Sequence, residues 1–255
     1  MHTTTRLLVL AVACAAATGA QGQDLGRRVA QVKDGTIRFS FAARKGVCGD
    51  GRSNISMLGE RDGRDKDVEW ACERGPVMIA LTKRGGDVVS MRTYVGARWR
   101  AAGADVVNLG TVGVKEAVDW LLDVGAASQS GAEHAVFPAT LADSVVVWPR
   151  LLRIARDASR PQAVRKDAVF WLGQAAGEEA TKGLAEVVED ATGDRDVRNA
   201  AVFALSRQRG NGVEYLLNIA RTNRDKDVRK QAIFWLGQSK DPRALDYFES
   251  VLAKK

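Results

Sequence analysis

Few residues in this 255-residue chain could do chemistry, and their spacing serves it poorly. Apart from His2 near the start there is one histidine, His134, so a serine–histidine–acid triad would have to use it, and no nucleophile motif lies nearby. GxSxG, HExxH, P-loop and GxGxxG patterns are absent. Neither Cys48 nor Cys72 belongs to a CxxC pair, and no second histidine stands ready to complete a zinc set. The run from Asp62 to Glu69 collects carboxylates, yet its spacing is not that of an EF-hand and Arg64 and Lys66 interrupt it. A solvated loop is the expectation there, with no metal and no cofactor. Asp62, Asp65 and Glu69 are the residues that a small cell-envelope enzyme would have to use. Arg92, Tyr94, Arg98, Trp99 and Arg100 interleave basic and aromatic side chains as nucleic-acid sites do. An exported chain would not meet nucleic acid, so this stretch points to an anionic envelope polymer or a half-buried β edge.

Export is itself a reading of the sequence. Arg6 precedes the apolar run Leu7–Ala13, which is too brief to span a bilayer, and small residues follow up to Ala20 and Gly22. Residues 1–22 are therefore expected to be a secretory signal, placing the protein in the periplasm or cell envelope. Cys14 stands in a faint lipobox, but Ala11 occupies the position that prefers leucine, which favours simple export over a lipid anchor. No other stretch is long enough to be a transmembrane helix. Two cysteines remain after cleavage, 24 positions apart, and an oxidising compartment predicts that they pair. Two buried free thiols would be preferred only without export. The net charge of +7 divides into +4 for residues 23–160 and +2 for residues 161–255, too mild for a nucleic-acid partner.

Residues 23–110 read as a small antiparallel β domain. Thr36–Phe41 alternates, with Ile37, Phe39 and Phe41 on one face, and Asp34-Gly35 reads as a turn back to a Val29–Val32 strand. Val77–Leu81 and Val88–Val95 flank Arg84-Gly85-Gly86-Asp87, a second hairpin signal. From Thr111, a candidate helix cap, the period becomes 3.6, through Val114, Ala117, Val118, Leu121 and Leu122. Residues 111–158 then hold capping helices and an irregular first repeat, with Pro138 shortening one helix and Ser144 and Pro149 opening another.

Residues 159–255 write one phrase three times, from Val164-Arg165, Val197-Arg198 and Val228-Arg229, at spacings of 33 and 31 residues. Each copy is followed by a second apolar helix. A pair of this length cannot bury its apolar face alone, so neighbouring pairs must stack. Asp194 and Asp225 sit where they cap the first helices, Pro161 replaces them in the first copy, and Asp241-Pro242 opens the last helix. Gly173 and Gly237 stand where they can end their helices. Trp171 and Trp235 fall at core spacing, and packing is preferred over a role as binding anchors.

The pattern Asp-x-x-Val-Arg-x-x-Ala-x-x-x-Leu-Gly, followed by a helix with a Leu-Leu pair, resembles the HEAT repeat over about residues 145–255. The nearest likeness is to the short bacterial form named after phycobilisome-lyase HEAT-like repeats. Trp171 and Trp235 depart from it by replacing a small residue. The resemblance implies an α+β chain whose C-terminal part is an α-solenoid of about four helix pairs. It further implies protein–protein contact through a partner the sequence does not name, and no lyase activity. Arg165, Arg198 and Arg229 recur at one position and predict a structural ladder with aspartates such as Asp167, Asp196 and Asp227. In such solenoids the second helices line the partner-facing side. Aligning them places Arg153, Glu186, Asn218 and Glu249 in one column and Arg156, Glu189 and Arg221 in another, which predicts ion pairs Arg156–Glu189 and Glu189–Arg221. The expected whole is an exported, non-enzymatic interaction module. Secreted protein should have the mass of a chain beginning after Ala20 or Gly22. It should gain mass on alkylation only after reduction; two freely alkylatable thiols in folded protein would contradict the pairing.

Overall fold

The computed structural model describes residues 24–52, 54–57, 72–96, 98, 99, 103, 105–127, 134–175, 177–208 and 211–253. Residues 1–22, expected to be a secretory signal and containing Cys14, lie outside them, as do the carboxylates Asp62, Asp65 and Glu69, and Arg100. Strand β1 (Gly35–Phe41) is central to a sheet with β4 (Val77–Arg84), β5 (Asp87–Val95) and β6 (Val106–Thr111), in the order β5-β4-β1-β6. The alternation of β1 places Ile37, Phe39 and Phe41 on one face, all fully buried with Ile79 and Leu81 of β4. Antiparallel pairing dominates, but β6 runs parallel to β1, so the sheet is mixed.

The Val29–Val32 segment is helical, not a strand. Helix α1 (Leu25–Gln31) opens on Asp24, whose carboxylate accepts from Gly26 N at 3.1 Å, and it buries Leu25 and Val29, one turn apart. The turn at Asp34-Gly35 consequently pairs elsewhere. Asp34 accepts from Gly85 N at 2.8 Å and Gly86 N donates to Lys33 O at 2.9 Å, bringing the two turns together. The buried Lys83 ammonium donates to Val29 O at 3.0 Å, at the carbonyl end of α1 where a cation is favoured.

Cys48 and Cys72 form a disulfide. Cys48 lies in the short hairpin β2 (Cys48–Gly49) and β3 (Ile55–Ser56), which is stitched to the main sheet. Gly49 and Glu73 exchange backbone hydrogen bonds at 2.9 and 2.8 Å, and Gly51 N donates to Val95 O at 2.9 Å. A side chain at Gly49 would put a Cβ 2.5 Å from Val95 O, and Gly96 turns through a φ of +77° against Glu73 O. Only glycine permits this approach.

Helix α2 (Val114–Ala126) covers the sheet, its Trp120 meeting Phe39 edge-on at 5.7 Å. Gly113 is its N-cap. Thr111, expected there, ends β6, with its hydroxyl 3.3 Å from that of Ser40. Four helix pairs follow: α3 (Val136–Thr140) with α4 (Trp148–Arg156), α5 (Gln162–Gln174) with α6 (Glu178–Glu189), α7 (Arg195–Arg207) with α8 (Gly212–Thr222), and α9 (Lys226–Gly237) with α10 (Pro242–Leu252). The first pair is irregular, since Pro138 sits inside the five-residue α3. Buried residues run as one cluster from Leu25 to Tyr247, so sheet and helices share a core.

Asp194 and Asp225 cap as their positions predict, accepting from Asp196 N and Asp227 N, each at 2.9 Å. Gly173 does not end a helix. It lies inside α5, where a Cβ would stand 2.8 Å from the Cβ of Ala204 in α7, so it is a point of close approach between two repeats. Gly237, the last residue of α9, meets only Phe248, at 3.9 Å. Gly173→Ala should therefore cost about 1–3 kcal/mol through overpacking, outweighing a gain in helix propensity of about 1 kcal/mol. Gly237→Ala should change stability by less than about 1 kcal/mol. Thermal unfolding of the two variants tests the contrast, and equal melting temperatures would place the close contact elsewhere.

Candidate functional site

Of the three repeated arginines, only Arg198 makes an inter-repeat ion pair among the described residues, and its partner is not one of those expected. Arg198 Nη2 donates to Asp225 Oδ2 at 2.8 Å, and only 11% of the Arg198 side chain is exposed. Asp225 is also the cap of α9, so one carboxylate serves a helix end and the preceding repeat. Asp194 stands equivalently: Gln162 Nε2 donates to both its oxygens at 2.9 and 3.0 Å, and the charge of Arg165 acts on it. Arg165 is buried and donates from Nε to Ala155 O at 3.2 Å. Arg229, in the last copy, donates to Asn223 O at 2.7 Å and Arg224 O at 3.0 Å. The first-turn aspartates point outward instead: Asp227 pairs with Arg195 at 2.8 Å, and Asp196 is exposed with no ion pair among the described residues.

These bonds leave a signature in the carboxyl groups. The Gln162 amide, the cap amides of α7 and Arg165 hold Asp194 below the usual carboxylate range. The amide of Asp227, that of Val228 and Arg198 do the same for Asp225. Asp167 goes the other way: burial raises it, against a hydrogen bond from the Trp171 indole and the nearby charge of His134.

The second-helix column is open to solvent. Arg153, Arg156, Glu189, Asn218, Arg221 and Glu249 are exposed and Glu186 is half-buried. The expected pairing along it is not found among the described residues. Arg156 Nη1 reaches Glu186 Oε2 at 3.1 Å, one turn short of Glu189, and the Arg221 guanidinium lies 5.5 Å over the Tyr247 ring. The offset between α4 and α6 is therefore about one helical turn from the alignment that predicted Glu189. Both side chains of the Arg156–Glu186 pair are more than a third exposed, so it contributes at most about 1 kcal/mol.

The first helices present a different surface. Trp171 and Trp235 are half-buried against the core, Trp171 stacked 5.1 Å from Phe137 and Trp235 4.9 Å from Phe203. The residue before each tryptophan, or its equivalent, is exposed: Phe170 at 47%, Phe203 at 40% and Phe234 at 55%. Phe170 and Phe203 flank a cavity of about 200 Å³ floored by Gly173 and Ala204. The column was visible in the sequence, since a phenylalanine occupies that position in every copy.

Arg92 and Arg98 lie on a larger cleft, of about 660 Å³, where the outer face of the sheet meets His134 and Phe137 of the helical part. Among the described residues no group of three or more histidine, cysteine or acidic side chains could hold a metal ion. No described helix is long and apolar enough to cross a membrane.

The PBS lyase HEAT-like repeat family matches residues 228–254, which take in α9 from its third residue onward and all of α10. The C-terminal region is thus a HEAT-like repeat, and the two preceding helix pairs repeat its Val-Arg phrase. No curated protein matches the chain.

The two classes of aspartate predict opposite responses. Asp225, depressed when folded, contributes stability that is present above the unfolded carboxylate value and lost as pH falls through the folded one. Asp225→Asn should lower the melting temperature at about pH 7, with the deficit closing below about pH 4, and Asp225→Ala should lower it further by removing the cap. Asp167, raised when folded, disfavours the native state once ionised. Asp167→Asn should therefore raise the melting temperature at about pH 7, by an amount that shrinks as the pH falls through the range in which Asp167 takes up its proton. Melting curves across this pH range check both signs.

Proposed function

We propose that the protein is an exported, non-enzymatic interaction module that holds a protein partner on the second helices of its repeats. The observation that supports this is that Arg153, Arg156, Glu189, Asn218, Arg221 and Glu249, on the second helices of successive repeats, are all exposed. Charges of both signs, a neutral Asn218 and the local Arg156–Glu186 pair make it a mixed polar surface, suited to a shaped protein partner more than to a polyanion. The Cys48–Cys72 disulfide suits an oxidising compartment, in keeping with the export signal.

A photo-crosslinking residue at Asn218 or Glu189 in the native host should capture one discrete protein from the envelope fraction. The same residue at Lys45, exposed in the β region, should not. Arg153→Glu combined with Asn218→Trp should abolish the adduct while the fold still melts cooperatively. Crosslinking confined to Phe203 would move the partner to the first helices, and a chain retaining residues 1–22 in the cytoplasm would contradict export.

A further inference from the structure

The sheet has two faces, and α2 packs on the one that carries Phe39. On the other, strand register lines up Arg38, Ala80 and Arg92 directly across β1, β4 and β5. Strands lie about 4.8 Å apart, so two arginine stems stand roughly 10 Å from each other across a floor made by a methyl group. The next row is Ser40, Met78 and Tyr94. Trp99 meets Tyr94 edge-on at 6.4 Å, and the guanidinium of Arg38 lies 5.0 Å over its ring. The cleft has an apolar, aromatic floor and a cationic rim completed by Arg52 and Arg98, and its described lining residues include no carboxylate.

Two arginines near the start of the helical part, by contrast, are paired. Arg150 reaches Asp119 and Asp123 at 2.7 and 2.5 Å, and Arg160 reaches Asp157 at 3.0 Å. Arg52, Arg92 and Arg98 are exposed and make no ion pair among the described residues. The rim is also built in place. Arg52 N donates to Asp50 Oδ1 at 2.8 Å, and the hairpin behind it is held by the disulfide and by Gly51 on Val95.

We infer that this cleft binds a small planar organic anion. Its flat apolar body lies over Ala80 and Met78 against Tyr94 and Trp99, and its phosphate or carboxylate is held by Arg92 and Arg98. The volume lies within the range of small-molecule sites, and Phe137 and His134 close one side, which a long polymer would have to bypass. Cations supply the attraction and the aromatic floor the selectivity for a flat body. The site is separate from the repeat face and stands or falls independently of it.

Calorimetric titration of the disulfide-intact chain with 2-naphthyl phosphate, inorganic phosphate and 2-naphthol, at about 0.15 M salt, tests this. Naphthyl phosphate should bind saturably at one site, with the other two at least about tenfold weaker. Arg92→Glu with Arg98→Glu, both exposed, should weaken it by about tenfold or more, whereas Arg153→Glu on the repeats should not. Ala80→Phe, which fills the floor and leaves every charge, should do likewise; a loss of cooperative melting in that variant leaves the decision to the arginine pair. Absence of saturable binding, equal affinity for inorganic phosphate, or binding that survives the arginine substitutions would overturn the proposal. Heparin binding that depends on Arg92 and Arg98, without naphthyl phosphate binding, would replace it by attachment to a polymer.

Discussion

A single carboxylate placed at a helix start carries the repeat architecture. Asp225 satisfies amides that the first turn of α9 would leave open, and it accepts from Arg198 of the previous repeat. Losing it would expose one helix end and strand a mostly buried guanidinium at the same moment. Local structure and stacking are therefore set by one group, which is why a phrase of about a dozen residues can be copied along the chain. Arg229 turns instead to the backbone carbonyls of Asn223 and Arg224.

The stack needs an origin as well as a period. The sheet supplies it: β1 buries its phenylalanines under α2, and Arg150 and Arg160 fasten α4 and the segment after it to the carboxylates and the last carbonyl of α2. The irregular α3 is the adaptor, its Phe137 stacked on Trp171 of the first regular repeat. Tryptophan in place of a small residue thus joins the irregular pair to the first regular repeat.

The helical half was legible in the sequence because periodicity, caps and apolar spacing agree there. Misreadings arose where one signal stood alone. Val29 to Val32 is too short for its period to be told, and the Asp24 cap decides for helix. Strand β6 has little alternation, since its burial is only partial, and pairs in parallel by a long return that sequence does not announce. Asp225 and Asp227 lie two residues apart, and only the fold shows that the cap faces the seam while its neighbour faces solvent. The second-helix column was legible as a set of positions, but not its pairing, which depends on a one-turn offset between helices. The cleft was half legible: Arg92 and Arg98 stood out, whereas Arg38 and Ala80 join them only through strand register.

The cystine at Cys48 has a consequence for the life history of the chain. The repeats need no covalent bond, so they can form wherever the chain is made. The hairpin that carries Arg52 is different, since Cys72 adds a covalent tie at the far end of its connection to the backbone pairing of Gly49 with Glu73. A chain held among reducing thiols would own a finished stack and an unfinished rim. Completion of the rim is then a molecular postmark, stamped once by the environment in which the protein came to rest.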